Sequence, residues 1–246
     1  MAKTAKVPPP LPTNPMQDPA VAGGYAAQDT YPRQIAAIRQ DPRLSDLAKA
    51  EQLAAAHDEH VQEVTRLRED LQSRRTARRD HLAAQVPIGP GVPPDASPAD
   101  AAVLNTAFRT ALLDMRDNAP LTEDRQAALA EALRFGDDTR IRAALTAAEE
   151  DGQTGVLDQW AQGTGNTDVV NELRDLNAQI SGNHINALRE AQAFRIPPRP
   201  NEAANVLLLQ QRAEEERRRQ AGQRDLRPVW ERTVPAPPSG ADPIQY

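Results

Sequence analysis

"RLSDLAKAEQLAAAHDEHVQEVTRLREDLQSRRTARRDHLAA", Arg43 to Ala84, decides the fold class. Leu47, Ala50, Leu53, Ala54, Val61, Val64, Leu67 and Leu71 recur at helical spacing and make one narrow apolar stripe. Ser45 stands where an N-cap is needed, its side-chain oxygen able to accept from a free amide of the first turn. A helix from there to about Ala84 would be roughly 60 Å long at 1.5 Å per residue. Several members of the stripe are alanine, which suits a helical hairpin better than a strong self-associating zipper.

Continued at the same spacing, the stripe runs from Leu71 into Arg74 and Arg78, with Arg75 and Arg79 beside it. Cations favour a helix C-terminus by about 0.3–1 kcal/mol, so one reading is local. The other is an anionic partner, either an acidic protein surface or phosphates. Nucleic acid is the less favoured of these, because it selects a broad basic footprint and this chain carries a net charge of −6. On the partner reading, Arg74→Glu with Arg78→Glu weakens assembly and leaves helicity intact.

Outward from this helix, the composition fits the same class. About 42 residues are alanine and aromatics are 3%, so burial at roughly 25 cal/mol per Å² has little surface to work on in a single thick core. Thin helix-on-helix packing is what such a chain supports. Strand-like alternation of useful length is missing from the sequence, and the expected fold is all-α: a long helical hairpin, a small bundle of shorter helices, and extended proline-rich arms.

Proline and glycine divide the chain. Residues 1–30, with "PPPLPTNP", read as an extended N-terminal arm; 31–85 as a short helix plus the long one; 86–98 as a linker. Residues 99–195 read as a helical bundle, 196–220 as a linker and C-terminal helix, and 221–246 as an extended arm. In the bundle, Ser97 and Pro98 open a helix, Thr122 to Gly136 forms a second, and a third stops at Gly152. Thr167 to Phe194 keeps one stripe across Gly182, which favours one kinked helix.

Chemistry-bearing motifs are scarce. "HDEH", His57 to His60, places two histidines on one helix face but brings no third ligand, so both are expected beside the apolar stripe and no metal is assigned. Cysteine is absent, and phosphate-binding loops, nucleophile elbows and HExxH are not found. "EEERRR" (Glu214 to Arg219) is a self-neutralising exposed helix. No catalytic residue and no cofactor are expected. The N-terminus has no apolar run after its lysines and no membrane span is expected, so the chain reads as soluble and intracellular.

Sparse apolar and aromatic residues in polar arms are typical anchors for partners. The candidates are Leu11, Tyr25 and Tyr31 in the first arm, and Val229, Trp230, Ile244 and Tyr246 in the last.

The stretch "IAAIRQDPRLSDLAKAEQLAAAHDEHVQEVTRLRED" (Ile35 to Asp70) resembles the short-helix, "DPRLS", long-helix openings of small helical proteins from the structural gene blocks of actinobacterial tailed phages. That resemblance implies a virion or assembly role, in the head, the connector or the inner virion, with assembly in the host cytoplasm. Its partners would be other structural proteins of the same particle, further copies of this chain included. A transient scaffold or adaptor, and a nucleic-acid-binding accessory protein using Arg74 to Arg79, are the alternatives.

Overall fold

The computed structural model describes residues 7–225. Ten helices make up its regular structure apart from one 3-10 turn, Pro15–Gln17, and there is no strand among the described residues. In chain order they are α1 (Pro19–Gln40), α2 (Asp46–Ala83), α3 (Pro98–Asn118), α4 (Thr122–Phe135), α5 (Asp138–Glu150), α6 (Thr154–Thr164), α7 (Thr167–Ile180), α8 (Ala187–Ala193), α9 (Asn201–Ala204) and α10 (Val206–Asp225). The all-α class and the long second helix are as the sequence predicts.

Local chemistry fixes the helix ends. The Ser45 hydroxyl accepts from the Ala48 amide at 3.2 Å and opens α2. Ser97 accepts from Asp100 N at 3.1 Å with Pro98 in the first turn of α3. The helices α4 to α7 all stop on one device. A left-handed glycine is followed by a polar residue whose amide reaches back five positions to an alanine carbonyl: Asp137 to Ala132, Gln153 to Ala148, Asn166 to Ala161, Asn183 to Ala178. The last of these corrects the expected kinked helix over 167–194. Gly182 ends α7 at φ +74°, and α8 starts afresh five residues later.

A second correction concerns the N-terminal arm of residues 1–30. Helix α1 already begins at Pro19, capped by Asp18, whose carboxylate accepts from Ala20 N at 2.8 Å. Asp followed by proline at the first helical position is a start signal, but the upstream prolines and the Gly23–Gly24 pair read as an extended segment. The short helix expected from residue 31 is the second part of α1, and Pro32 sits inside it. Pro32 lacks the N–H that would bond to the Gln28 carbonyl one turn before.

The described residues form two compact units, one from 7–25 with 65–194, the other from 26–64 with 195–225. In the first, α5 lies among α3, α4 and α6. Its buried face is Ala143, Ala144, Leu145, Ala147 and Ala148. These small side chains let Phe108, Met115, Leu129, Val156 and Trp160 of the surrounding helices close around it. Arg125 of α4 is 1% exposed and closes the end of α5, donating to the Ala147 carbonyl at 2.9 Å and pairing with Asp151 at 2.7 Å. In the second unit, Tyr31 and Ile35 of α1 pack with Leu53 and Ala56 of α2 and with Ala203 of α9.

Candidate functional site: the arginine row of the long helix

The sequence singles out Arg74, Arg75, Arg78 and Arg79 because they continue an inward stripe. In the first unit the stripe still points inward there, and carboxylates wait for it. Arg74 donates through its two terminal nitrogens to Asp18 at 2.9 and 2.7 Å, and through Nε to Asp70 at 3.0 Å. Arg75, 1% exposed, makes two parallel 2.7 Å bonds to Glu190 of α8. Arg78 does the same with Glu172 of α7, again at 2.7 Å twice, and also donates to the Pro8 carbonyl at 3.0 Å. Arg79 turns to its neighbour Asp80. Bidentate pairing of this kind uses the fixed fork of the guanidinium and is among the strongest hydrogen bonding available to a protein.

The electrostatics follow from the geometry. Burial pushes the Asp18 carboxyl upward, but the Arg74 hydrogen bonds, the Ala20 amide and the charges of Arg74 and Arg75 outweigh it and hold Asp18 below its ordinary value. The Arg74 and Arg78 guanidinium groups are held above theirs, first by their bonds to Asp18 and Glu172 respectively. The row is thus an internal brace: the second half of α2 is fastened to α1, α7 and α8 within one unit.

Behind Glu190 the brace continues to His184, whose Nε2 lies 3.4 Å from the same carboxylate. A cavity of about 330 Å³ lies beside them, lined by Arg68, Gln72, Gln179, Ser181, His184 and Glu190 among others. Asp18, Glu172, Glu190 and His184 were not singled out by the sequence. The arginine partners of the three carboxylates lie 56 to 115 positions away along the chain, His184 meets Glu190 six positions on, and only the Asp18–Pro19 cap carries a local signal.

The other candidates are placed as follows. Tyr31 is buried in the core of its own unit, against His57 and His60, so it is not an arm anchor. Tyr25 is 36% exposed and its hydroxyl donates to the Arg189 carbonyl at 2.7 Å. Leu11 is half-buried. Val229, Trp230, Ile244 and Tyr246 lie outside the described residues. His57 and His60, expected beside the apolar stripe, are buried. Among the described residues no group of three or more His, Cys, Asp or Glu stands as metal ligands would, and no helix is long and apolar enough to cross a membrane. Compared with known proteins, the chain matches no family model, no curated protein and no solved structure.

Proposed function

We propose that this protein is a non-enzymatic structural component of a large assembly, of the kind found in a tailed-phage particle, and that it binds its neighbours through apolar surface side chains. The observation that carries this reading is where the chain spends its few large apolar residues. Ile185, in the turn before α8, is 99% exposed, and Leu188, in its first turn, 82%. The same unit meanwhile relies on alanine for much of its core. Full burial of such a side chain is worth about 1.5–3 kcal/mol, and exposed apolar clusters on otherwise polar surfaces mark association sites.

The arginine row supports this reading over a nucleic-acid-binding one. Arg74, Arg75 and Arg78 each face a carboxylate across the fold, so phosphates would have to displace bonds that hold the unit together.

Light scattering on the full chain over a range of concentrations tests the proposal. The expected result is a mass that rises with concentration, and Ile185→Ser with Leu188→Ser shifting that rise to higher concentration without changing the urea midpoint. A wild-type mass fixed at the monomer throughout, with retention on DNA that falls steeply with salt, would overturn it in favour of the accessory nucleic-acid reading.

A further inference from the structure

The second unit holds a segment that is tied down rather than packed in. Residues 195–200, "RIPPRP", cannot form a helix, and they lie across α1 and α2 through polar bonds. Gln28 donates to the Arg195 carbonyl at 2.5 Å, His57 Nε2 lies 3.2 Å from the Pro197 carbonyl, and Arg199 pairs with Asp58 at 3.3 Å. Just beyond, Glu202 receives a bidentate pair from Arg39 at 2.9 and 3.0 Å, and Ala203 enters the core beside Tyr31. A groove of about 620 Å³ lies between this segment and Tyr31, Ile35 and Arg39 of α1.

His60 reaches the clasp through Tyr31. Its ring stacks on Tyr31 with centroids 4.4 Å apart, and its Nε2 is buried with no hydrogen-bond partner. Tyr31, on which it stacks, shares a core with Ala203, and His57, one turn back on α2, meets the Pro197 carbonyl.

We propose that residues 195–205 form a strap that closes over α1 and α2 at neutral pH and opens in mild acid, with His60 as the group that must stay uncharged for closure. An imidazolium carries an N–H at both ring nitrogens, so a charged His60 would bury a donor at Nε2 with nothing to accept it. The two carboxylates that hold the strap are already engaged, Asp58 by Arg199 and His57, and Glu202 by Arg39. The other ionisable groups of this cluster are Tyr31 and Arg39 from α1, His57 from α2 and Arg199 from the strap, with the exposed Glu63 one turn further along α2; of these, His57 acts on the His60 charge, and it disfavours the imidazolium.

Burial first, and neighbouring His57 second, hold the His60 imidazole below the usual histidine range. A group depressed in the closed state contributes stability that is complete above its free value, about 6.5, and is lost as pH falls below it. One proton of difference changes the opening equilibrium by at most about tenfold per pH unit. Histidine is the side chain whose ordinary titration range makes it suited to this.

Amide hydrogen exchange on the full chain reads the strap directly. The Ala204 and Asn205 amides bond within the strap to the Pro200 and Glu202 carbonyls, and because a four-residue helix does not persist off its core, they report opening once rates are corrected for the intrinsic effect of pH. In the wild type, opening is expected to be flat above about pH 6.5 and to rise below it by up to about tenfold per unit. His60→Phe, which keeps a ring on Tyr31 and cannot titrate, is expected to stay flat. A flat wild type, or the same slope in His60→Phe, overturns the proposal. If that variant is already open at pH 7.5, the His60 ring protons of the wild type decide by NMR. A midpoint below that of free histidine supports the clasp, and one at or above it sinks the proposal.

Discussion

Arg75 shows how one side chain can be read two ways from sequence and only one way in three dimensions. In the sequence it is one of four arginines near the end of a long helix, open to a local reading, an acidic protein partner or, less favoured, phosphates. In the fold it is 1% exposed and locked to Glu190, a residue 115 positions away that no periodicity connects to it. Two desolvated charges barely repay their dehydration as a pair, yet removing one strands the other. Arg75→Ala should therefore cost about 3–5 kcal/mol, with most of it recovered when Glu190 is replaced by an apolar residue in the same chain. Urea denaturation of the two variants checks this, and a single variant within about 1 kcal/mol of wild type would mean that Glu190 finds water or His184 instead. The same reasoning alters what Arg74→Glu with Arg78→Glu should do. Those charges would face Asp18 and Glu172, so the unfolding midpoint falls before any association is affected.

At the scale of elements, helix existence was legible and helix boundaries were legible wherever a cap was local. Ser45, Ser97, Gly136 and Gly152 act where the sequence places them, because a cap needs only its own first or last turn. Helix α1 was misread because its signals conflict locally and are resolved at a distance. Gly23 and Gly24 read as part of an extended arm, but they are helical, and a Cβ on Gly24 would lie 2.7 Å from the Ala193 carbonyl oxygen. The glycine is there so that α1 can approach the end of α8, a constraint invisible without knowing that the two meet. Gly182 is the opposite case. An added Cβ there meets nothing within 4 Å, and only its φ of +74° resists substitution. Alanine scanning should separate the two mechanisms. Gly182→Ala should cost about 1–2 kcal/mol, the left-handed strain alone. Gly24→Ala gains about 0.5–1 kcal/mol of helix propensity but should still lose about 1–3 kcal/mol net through the clash with backbone. A neutral Gly24→Ala in thermal or urea melts would show that α1 can back away from Ala193.

At the scale of the whole molecule, the first residues of the described chain behave as part of a fold, and this sets what an N-terminal truncation measures. Sequence composition marks them as an arm for partners, since proline-rich segments with few apolar groups cannot offset their own ordering entropy. What orders them is ionic contact with the long helix. Pro8 offers its carbonyl to Arg78, Asp18 takes both terminal nitrogens of Arg74, and Pro15 is buried between them in sequence. Deleting residues 1–18 removes a cap worth about 1 kcal/mol from α1. It also leaves Arg74 facing only Asp70, and Arg78 without its carbonyl. The deletion should lower the urea midpoint of the first unit by the equivalent of about 2–4 kcal/mol, the range expected when charged groups lose buried partners. Asp18→Ala in the full-length chain should reproduce most of that loss, because one carboxylate serves both the cap and the brace. The comparison discriminates cleanly. If the deletion is silent in the melt but abolishes association in light scattering, residues 1–18 serve partners after all; if the melt falls and Asp18→Ala falls with it, the segment belongs to the fold, and docking rests on apolar surface residues such as Ile185 and Leu188.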